Sequence, residues 1–231
     1  MNHHSAIRRF KEQWAETSEG QRISAMITGG GFAFGDIGKL PGASSVLNDI
    51  FIPYNQAKSI QFTQQALPKG MENPLTTGHV AFVGPVATEL YLNALINANA
   101  LASPDARLLV INASITTTRY RRGVNEAWIW MFNPKTNQER RVQLSLSKAD
   151  EQGYAELAAQ GRVEAVREME DAKITMAALA VLMDDIKFAW LGEGETITDY
   201  TLNDDGTYDV ADNPWIEGPT WVERRTMEAS V

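Results

Sequence analysis

The chain contains no cysteine. Disulfide staples, thiolate nucleophiles, Cys-type zinc sites and iron–sulfur clusters are therefore excluded. Histidine is almost as scarce: His3 and His4 stand at the amino end and His79 stands alone, so the sequence assembles no metal triad and implies no metal and no cofactor. No apolar run approaches the roughly 20 residues of a bilayer span, and the opening residues have neither the apolar core nor the cleavage site of a signal peptide. These absences predict a soluble, cytoplasmic protein with no membrane partner. An excess of positive charge is missing too. The net charge is −8, and beyond Leu191 only Arg224 and Arg225 oppose ten acids, so the body is neutral and the whole acidic excess lies in 191–231. With no basic surface to release counterions from phosphates, duplex nucleic acid is a poor partner.

What is present suffices for a core. Of 231 residues, 44% are hydrophobic and 22% charged, which suits one large domain with an elaborated end. Ile7, Phe10 and Trp14 fall at helical spacing after Ser5 and before Ser18-Glu19-Gly20, predicting an amphipathic opening helix. Arg22 to Thr28 reads as a strand running into Gly29-Gly30-Gly31. Residues 46–53 read as a second extended passage and 56–65 as a helix. Pro85 opens a helix over 86–101. Leu108 to Asn112 is a continuous apolar run, as in a strand buried on both faces, and residues 126–132 and 139–146 read as a hairpin around Asn133-Pro134. One or two helices fill 149–189, with Val163, Val166, Met169, Ile174, Leu179 and Leu182 turned inward. The predicted fold is α/β, a three-layer α/β/α sandwich over 1–190, followed by a small acidic β-hairpin-like extension over 191–231. In that extension Asp204-Asp205-Gly206 reads as a hairpin turn, because the glutamate that closes a calcium loop is not in place. Trp215 and Trp221 are apolar enough to anchor it on its own domain or on a second copy, which points to a homo-oligomer.

Four places carry residues of chemical interest. Thr28, Gly29, Gly30 and Gly31 can turn successive amides toward one anion, although a plain turn uses the same glycines. Ser44 and Ser45 follow Pro41-Gly42-Ala43 as hydroxyls or as helix caps. Tyr54 and Lys58 are four residues apart, one helical turn, and place a phenol beside an ammonium or leave a solvated lysine. After the most buried strand comes Ser114-Ile115-Thr116, then Arg119, Arg121, Arg122 and Gly123. A hydroxyl- and arginine-rich loop at the carboxyl end of a central strand is where open α/β sheets place ligands; a solvated charge cluster is the alternative.

In order and approximate spacing these segments resemble the CinA C-terminal domain family, the nicotinamide-nucleotide amidohydrolases. The matching stretches are Thr28-Gly29-Gly30, Gly42-Ala43-Ser44-Ser45, Tyr54-Asn55-Gln56-Ala57-Lys58, the helix over 86–101 and Asn112-Ala113-Ser114. The resemblance implies a nucleotide-like small molecule as ligand, held by the glycine turn, Lys58, Ser114, Thr116, Gly123 and the arginines. It also implies a serine activated by Lys58. At the serine position this chain has Met26, and at the preceding glutamate position it has Ala25; the family's tyrosine lines up with Pro53, one residue before Tyr54. Methionine cannot attack an amide, and a base without its nucleophile cannot transfer an acyl group. The resemblance therefore predicts a nucleotide-binding relative with the deamidase chemistry lost or altered. Two alternatives stand beside it: an active amidohydrolase using another serine, Ser44 or Ser45, and an assembly protein that reuses the fold.

Overall fold

The computed structural model describes residues 2–78, 80–202, 208–211 and 222–224. Trp215, Trp221 and His79 lie outside them. Five α-helices and eight strands follow one another as α1 (His3–Thr17), β1 (Ile23–Thr28), β2 (Leu47–Phe51), α2 (Gln56–Gln64), α3 (Pro85–Asn99), β3 (Arg107–Ser114), β4 (Asn125–Asn133), β5 (Gln138–Leu146), α4 (Glu151–Ala159), α5 (Val163–Met183), β6 (Thr196–Leu202), β7 (Tyr208–Ala211) and β8 (Val222–Glu223). The strands form one mixed sheet in the order β2-β1-β3-β4-β5-β6-β7, with β8 on β5. β2, β1 and β3 are parallel, and every pairing from β3 onward is antiparallel.

Alternation along the strands sorts the core into two layers. Ile23, Ala25 and Ile27 of β1, Leu109 and Ile111 of β3 and Ile129 of β4 face α1 and α5. Met26, Leu108, Val110, Trp128 and Trp130 face α3. The fold is thus the α/β/α sandwich that the alternation of helices and apolar runs predicts. Asn2, not Ser5, caps α1, and Ile7, Phe10 and Trp14 are its buried stripe. Pro85 starts α3 as expected, but Val86 is exposed because the helix turns Ala87, Leu90, Tyr91 and Leu95 inward.

Two expectations need correction. Met169 is exposed while Glu170 and Lys173 are buried, because the carboxyl half of α5 is apolar all round and its amino half buries charged groups that have partners. The residues after 190 do form a hairpin, β6 with β7, but β6 also pairs with β5 from Arg141↔Tyr200 to Ser145↔Thr196, so it extends the main sheet. Its acids are drawn inward: Glu195 takes the Lys173 ammonium at 2.7 Å and Asp199 takes the Arg140 guanidinium at 3.1 Å.

Topology positions the site. From β1 the chain reaches β2 through the 3-10 segment Phe32–Lys39, whose Phe34 and Ile37 pack in the α1/α5 layer. It then returns to β3, on the other side of β1, through α2 and α3. Connections leaving β1 and entering β3 on opposite faces open a crevice at the strands' carboxyl ends, the usual ligand position in open parallel sheets.

Candidate functional site

A cavity of about 360 Å³ occupies that crevice, lined from the sheet by Thr28, Gly29, Ala113 and Ser114. Pockets for small molecules begin near this size. The floor is a close backbone contact. Gly29 has φ +79°, and a Cβ there would stand 1.8 Å from the Ala113 carbonyl oxygen, so only glycine lets the turn lie flat on the end of β3.

The three glycines divide. Gly29 reaches the cavity, whereas a Cβ on Gly30 or Gly31 would meet Ile174, Ile115 or Ile111, so these two seat the turn against α5. The amides that follow are also committed: Phe32 and Ala33 each donate to the Asp171 carboxylate at 2.9 Å.

One turn of α5 organises both sides. Glu170, buried, accepts from the Thr116 amide at 2.7 Å, the Thr116 hydroxyl at 2.9 Å and the Asn125 amide at 2.7 Å. Asp171 pins the glycine turn, Glu170 pins the loop after β3, and Arg167, three and four residues earlier on the same helical face, lines the cavity between them. Arg167 is half-buried. Arg121 is the second cation of the lining and donates to the Ser114 hydroxyl. Its loop is held from outside: Lys148 donates to the carbonyls of Arg121 and Gly123, and the Tyr154 hydroxyl donates to the Thr117 carbonyl at 2.7 Å.

The opposite wall comes from α2, α3 and the segments before them. Tyr54, Asn55, Gln56, Ser59, Phe82, Val83 and Tyr91 line it, with Phe32 alongside. Burial raises the Tyr91 phenol above its ordinary value against the opposing pull of a hydrogen bond with Ser59. The Ser59 hydroxyl in turn donates to the Pro53 carbonyl at 3.1 Å. The cavity is therefore lined by two guanidinium groups, several hydroxyls and four aromatic rings. Among the described lining residues there is no carboxylate, lysine or histidine.

Of the residues singled out in the sequence, Thr28, Gly29, Tyr54, Ser114 and Arg121 converge on this cavity. Lys58 does not. Its backbone amide donates to Asn55, the cap of α2, its ammonium donates to Gln61 at 3.1 Å, and it lines a separate groove with Phe51, Ile52 and Phe62. Ser44 and Ser45 sit exposed in the 3-10 turn before β2, the Ser45 hydroxyl donating to the Gly42 carbonyl at 2.8 Å. Thr116 is held by Glu170, Thr116 and Arg119 line a void of about 30 Å³ beneath the loop, and Arg122 and Gly123 are exposed. Met26, at the position of the implied nucleophile, is fully buried in the α3 layer opposite Val110 and Phe51. Sequence reasoning missed Arg167. The signal was the trio Arg167, Glu170 and Asp171 on one face of a helix otherwise read by its apolar positions.

No protein-family model and no curated protein matches the sequence. Solved structures do. The competence damage-inducible protein A of Klebsiella pneumoniae subsp. pneumoniae MGH 78578 aligns at a TM-score of 0.57 with 11% identity, covering 81% of this chain and 98% of that one. A CinA superfamily protein of Klebsiella pneumoniae 700603 aligns at 0.49 with 9% identity, over 74% of this chain and 98% of its own. The competence/damage-inducible protein of Agrobacterium tumefaciens aligns at 0.49 with 12% identity, over 78% and 94%. This chain therefore has the fold of the competence damage-inducible protein A structure, built on a sequence only 11% identical to it.

Proposed function

We propose that this chain is a CinA-like protein, related to the nicotinamide-nucleotide amidohydrolases, that binds a phosphorylated small molecule with a flat ring in the cavity at the ends of β1 and β3, without the amide hydrolysis of that family. The observation that carries the reading is the composition of the cavity lining. Arg121 and Arg167 enter the lining from two different segments, and Tyr54, Phe82 and Tyr91 complete it from the side of α2 and α3. Guanidinium groups match phosphate geometry, and aromatic faces accept a planar ring. Thr28 and Ser114 add hydroxyls to the lining that suit a sugar or an amide.

The loss of hydrolysis rests on two facts. Met26 is sealed in the core, and the hydroxyls that do line the cavity, Thr28, Ser59, Ser114 and Thr117, have no described base beside them. An unactivated hydroxyl is a weak nucleophile.

Calorimetry with nicotinamide mononucleotide and with adenosine monophosphate tests the proposal. We expect one-to-one binding of at least one of them, weakened about tenfold or more by Arg167→Ala, the range for a lost charge-assisted hydrogen bond, and no ammonia release. Binding of neither, or binding indifferent to Arg167→Ala and Arg121→Ala, overturns the ligand reading. Ammonia release from the mononucleotide near 1 per second, abolished by Ser114→Ala, would instead establish an active amidohydrolase with a displaced serine.

A further inference from the structure

The two histidines at the start of the chain gain a third partner that the sequence does not bring near. α1 buries Ile7, Phe10 and Trp14, and the segment Phe32–Lys39 buries Phe34 and Ile37 in the same layer. Packing these two elements together leaves Asp36, one residue before Ile37, turned toward the first turn of α1. A ring nitrogen of His3, a ring nitrogen of His4 and a carboxylate oxygen of Asp36 all lie within 4.8 Å of one another. The two imidazoles are 3.9 Å apart between centroids, and His4 Nδ1 is 3.8 Å from Asp36 Oδ2. Lys39 holds the other oxygen, Oδ1, at 2.6 Å, which leaves Oδ2 directed at the histidine.

We propose that His3, His4 and Asp36 form a binding site for a divalent first-row cation of the zinc, nickel or copper type. Two imidazoles and one carboxylate are the donor set such ions prefer over magnesium or calcium, and three protein ligands leave a position for water. Ligand atoms about 3.3 Å apart are needed for bonds of about 2.0–2.1 Å. His3 and Asp36 are only partly covered and His4 is exposed, so small rotations of the side chains close the difference without moving backbone. Two forces oppose the ion: the positive end of α1 and the Lys39 ammonium. The Asp36 charge answers both, so affinity depends on Asp36 more steeply than on either imidazole. Once bound, the ion ties the amino end of α1 to the segment that leaves the glycine turn. It thus joins the segment after the cavity floor to the first turn of α1. The inference is independent of the ligand in the cavity.

Titration calorimetry with zinc chloride, alongside melting curves with and without the metal, tests it on the untagged full chain. The expected result is one zinc per chain, a melting temperature that rises with zinc, affinity at least about tenfold weaker in Asp36→Asn and in His4→Gln, and tighter binding in Lys39→Ala. The variants should melt like the parent without metal, because the altered side chains carry no core contact. Zinc binding that Asp36→Asn leaves unchanged means that the adjacent histidines act alone, and the triad is refuted. Absence of binding, or binding with no rise in melting temperature, refutes it as well.

Discussion

The parallel half of the sheet, β2-β1-β3, and its antiparallel half from β5 outward are held together by different forces. β1 and β3 present almost uninterrupted aliphatic faces, with Ser24 and Asn112 as buried exceptions that find Asn99 at 2.7 Å and Thr88 at 3.0 Å. β5 buries two consecutive arginines on opposite faces. Arg140 reaches Asp184 at 2.7 Å and Asp199 at 3.1 Å. Arg141 lies over the Trp130 ring and reaches Glu89 at 3.0 Å and Glu139 at 2.7 Å, and Arg224 joins those same two acids from beyond β8. Apart from Arg141 with Glu139, which lie on the same strand, each charged pair fastens a remote segment: the end of α5, β6, α3 or the last described residues. Aliphatic packing holds the half that must leave its strand ends open, and paired charges hold the half that must collect its surroundings. The comparison teaches where each force is needed. Apolar burial is non-directional and tolerates a neighbouring cavity, whereas buried charges demand their partners and so specify which segment docks.

The largest break should come in the charged half. Glu139→Ala leaves the guanidinium groups of Arg141 and Arg224 to share Glu89 and should cost about 3–5 kcal/mol, the range for removing one partner of a buried ion pair. Urea unfolding measures it; a loss below 1 kcal/mol would mean that water reaches the group. Simultaneous replacement of Glu89, Glu139, Arg141 and Arg224 by apolar residues of similar volume should restore most of the loss, because the pairs give specificity more than strength.

The pH dependence separates two buried acids of this half by sign. Burial pushes the Glu195 carboxyl up, but its hydrogen bonds from Lys173 and the Gly192 amide and the Lys173 charge bring it net below the ordinary 4.5. Its native form binds fewer protons than its unfolded form, so its contribution is full above 4.5 and is lost as the pH falls through the lowered value. Burial lifts Glu139 above 4.5, against the pull of Arg141 and Arg224 and with a push from Glu89. That contribution is full below 4.5 and is lost as the pH rises through the raised value. Stability curves from about pH 3 to 7 should therefore lose part of their acid limb in Glu195→Gln and part of the opposite slope in Glu139→Gln. Parallel curves for both variants would refute the assignment.

Smaller effects belong to the apolar half. Ile111→Val in β3 should cost about 0.5–1.5 kcal/mol, with no dependence on pH. Lys58→Ala, at the exposed side of α2, should change stability by less than about 0.5 kcal/mol and leave affinity for a cavity ligand within about twofold of the parent. A large loss of affinity there would return Lys58 to the site and shift weight from Arg167.

Local signals in the sequence were enough to place most elements. The spacing of Ile7, Phe10 and Trp14, the glycines after Thr28, Pro85 before an apolar periodic stretch, and the unbroken run Leu108 to Ile111 each record an interaction within one helix turn or one strand. The elements survive as α1, β1, α3 and β3, with ends moved by a few residues. The inward phase of α5 holds at Ile174, Leu179 and Leu182 and fails at Met169, where Glu170 and Lys173 are buried instead through Thr116, Asn125 and Glu195, which no periodicity announces.

The site divides along the same line. Thr28, Gly29, Tyr54 and Ser114 are legible because they stand at element ends, where a backbone must turn and a side chain is free. Arg167 is not, nor is the metal-type cluster that Asp36 completes. The residues that shape the cavity meet across long stretches of chain: Phe32 and Asp171 are 139 positions apart, and Thr116 and Glu170 54. The sequence by itself determined the helices, the strands and the carboxyl-end turns, since those follow from torsional preference and apolar period within a few residues. Only the tertiary structure decided which cations line the cavity, which glycine of the turn reaches it and where β6 pairs with the sheet. Each of those is a pairing between charges or donors whose strength comes from being removed from water together, and that removal exists only once the chain has closed around them.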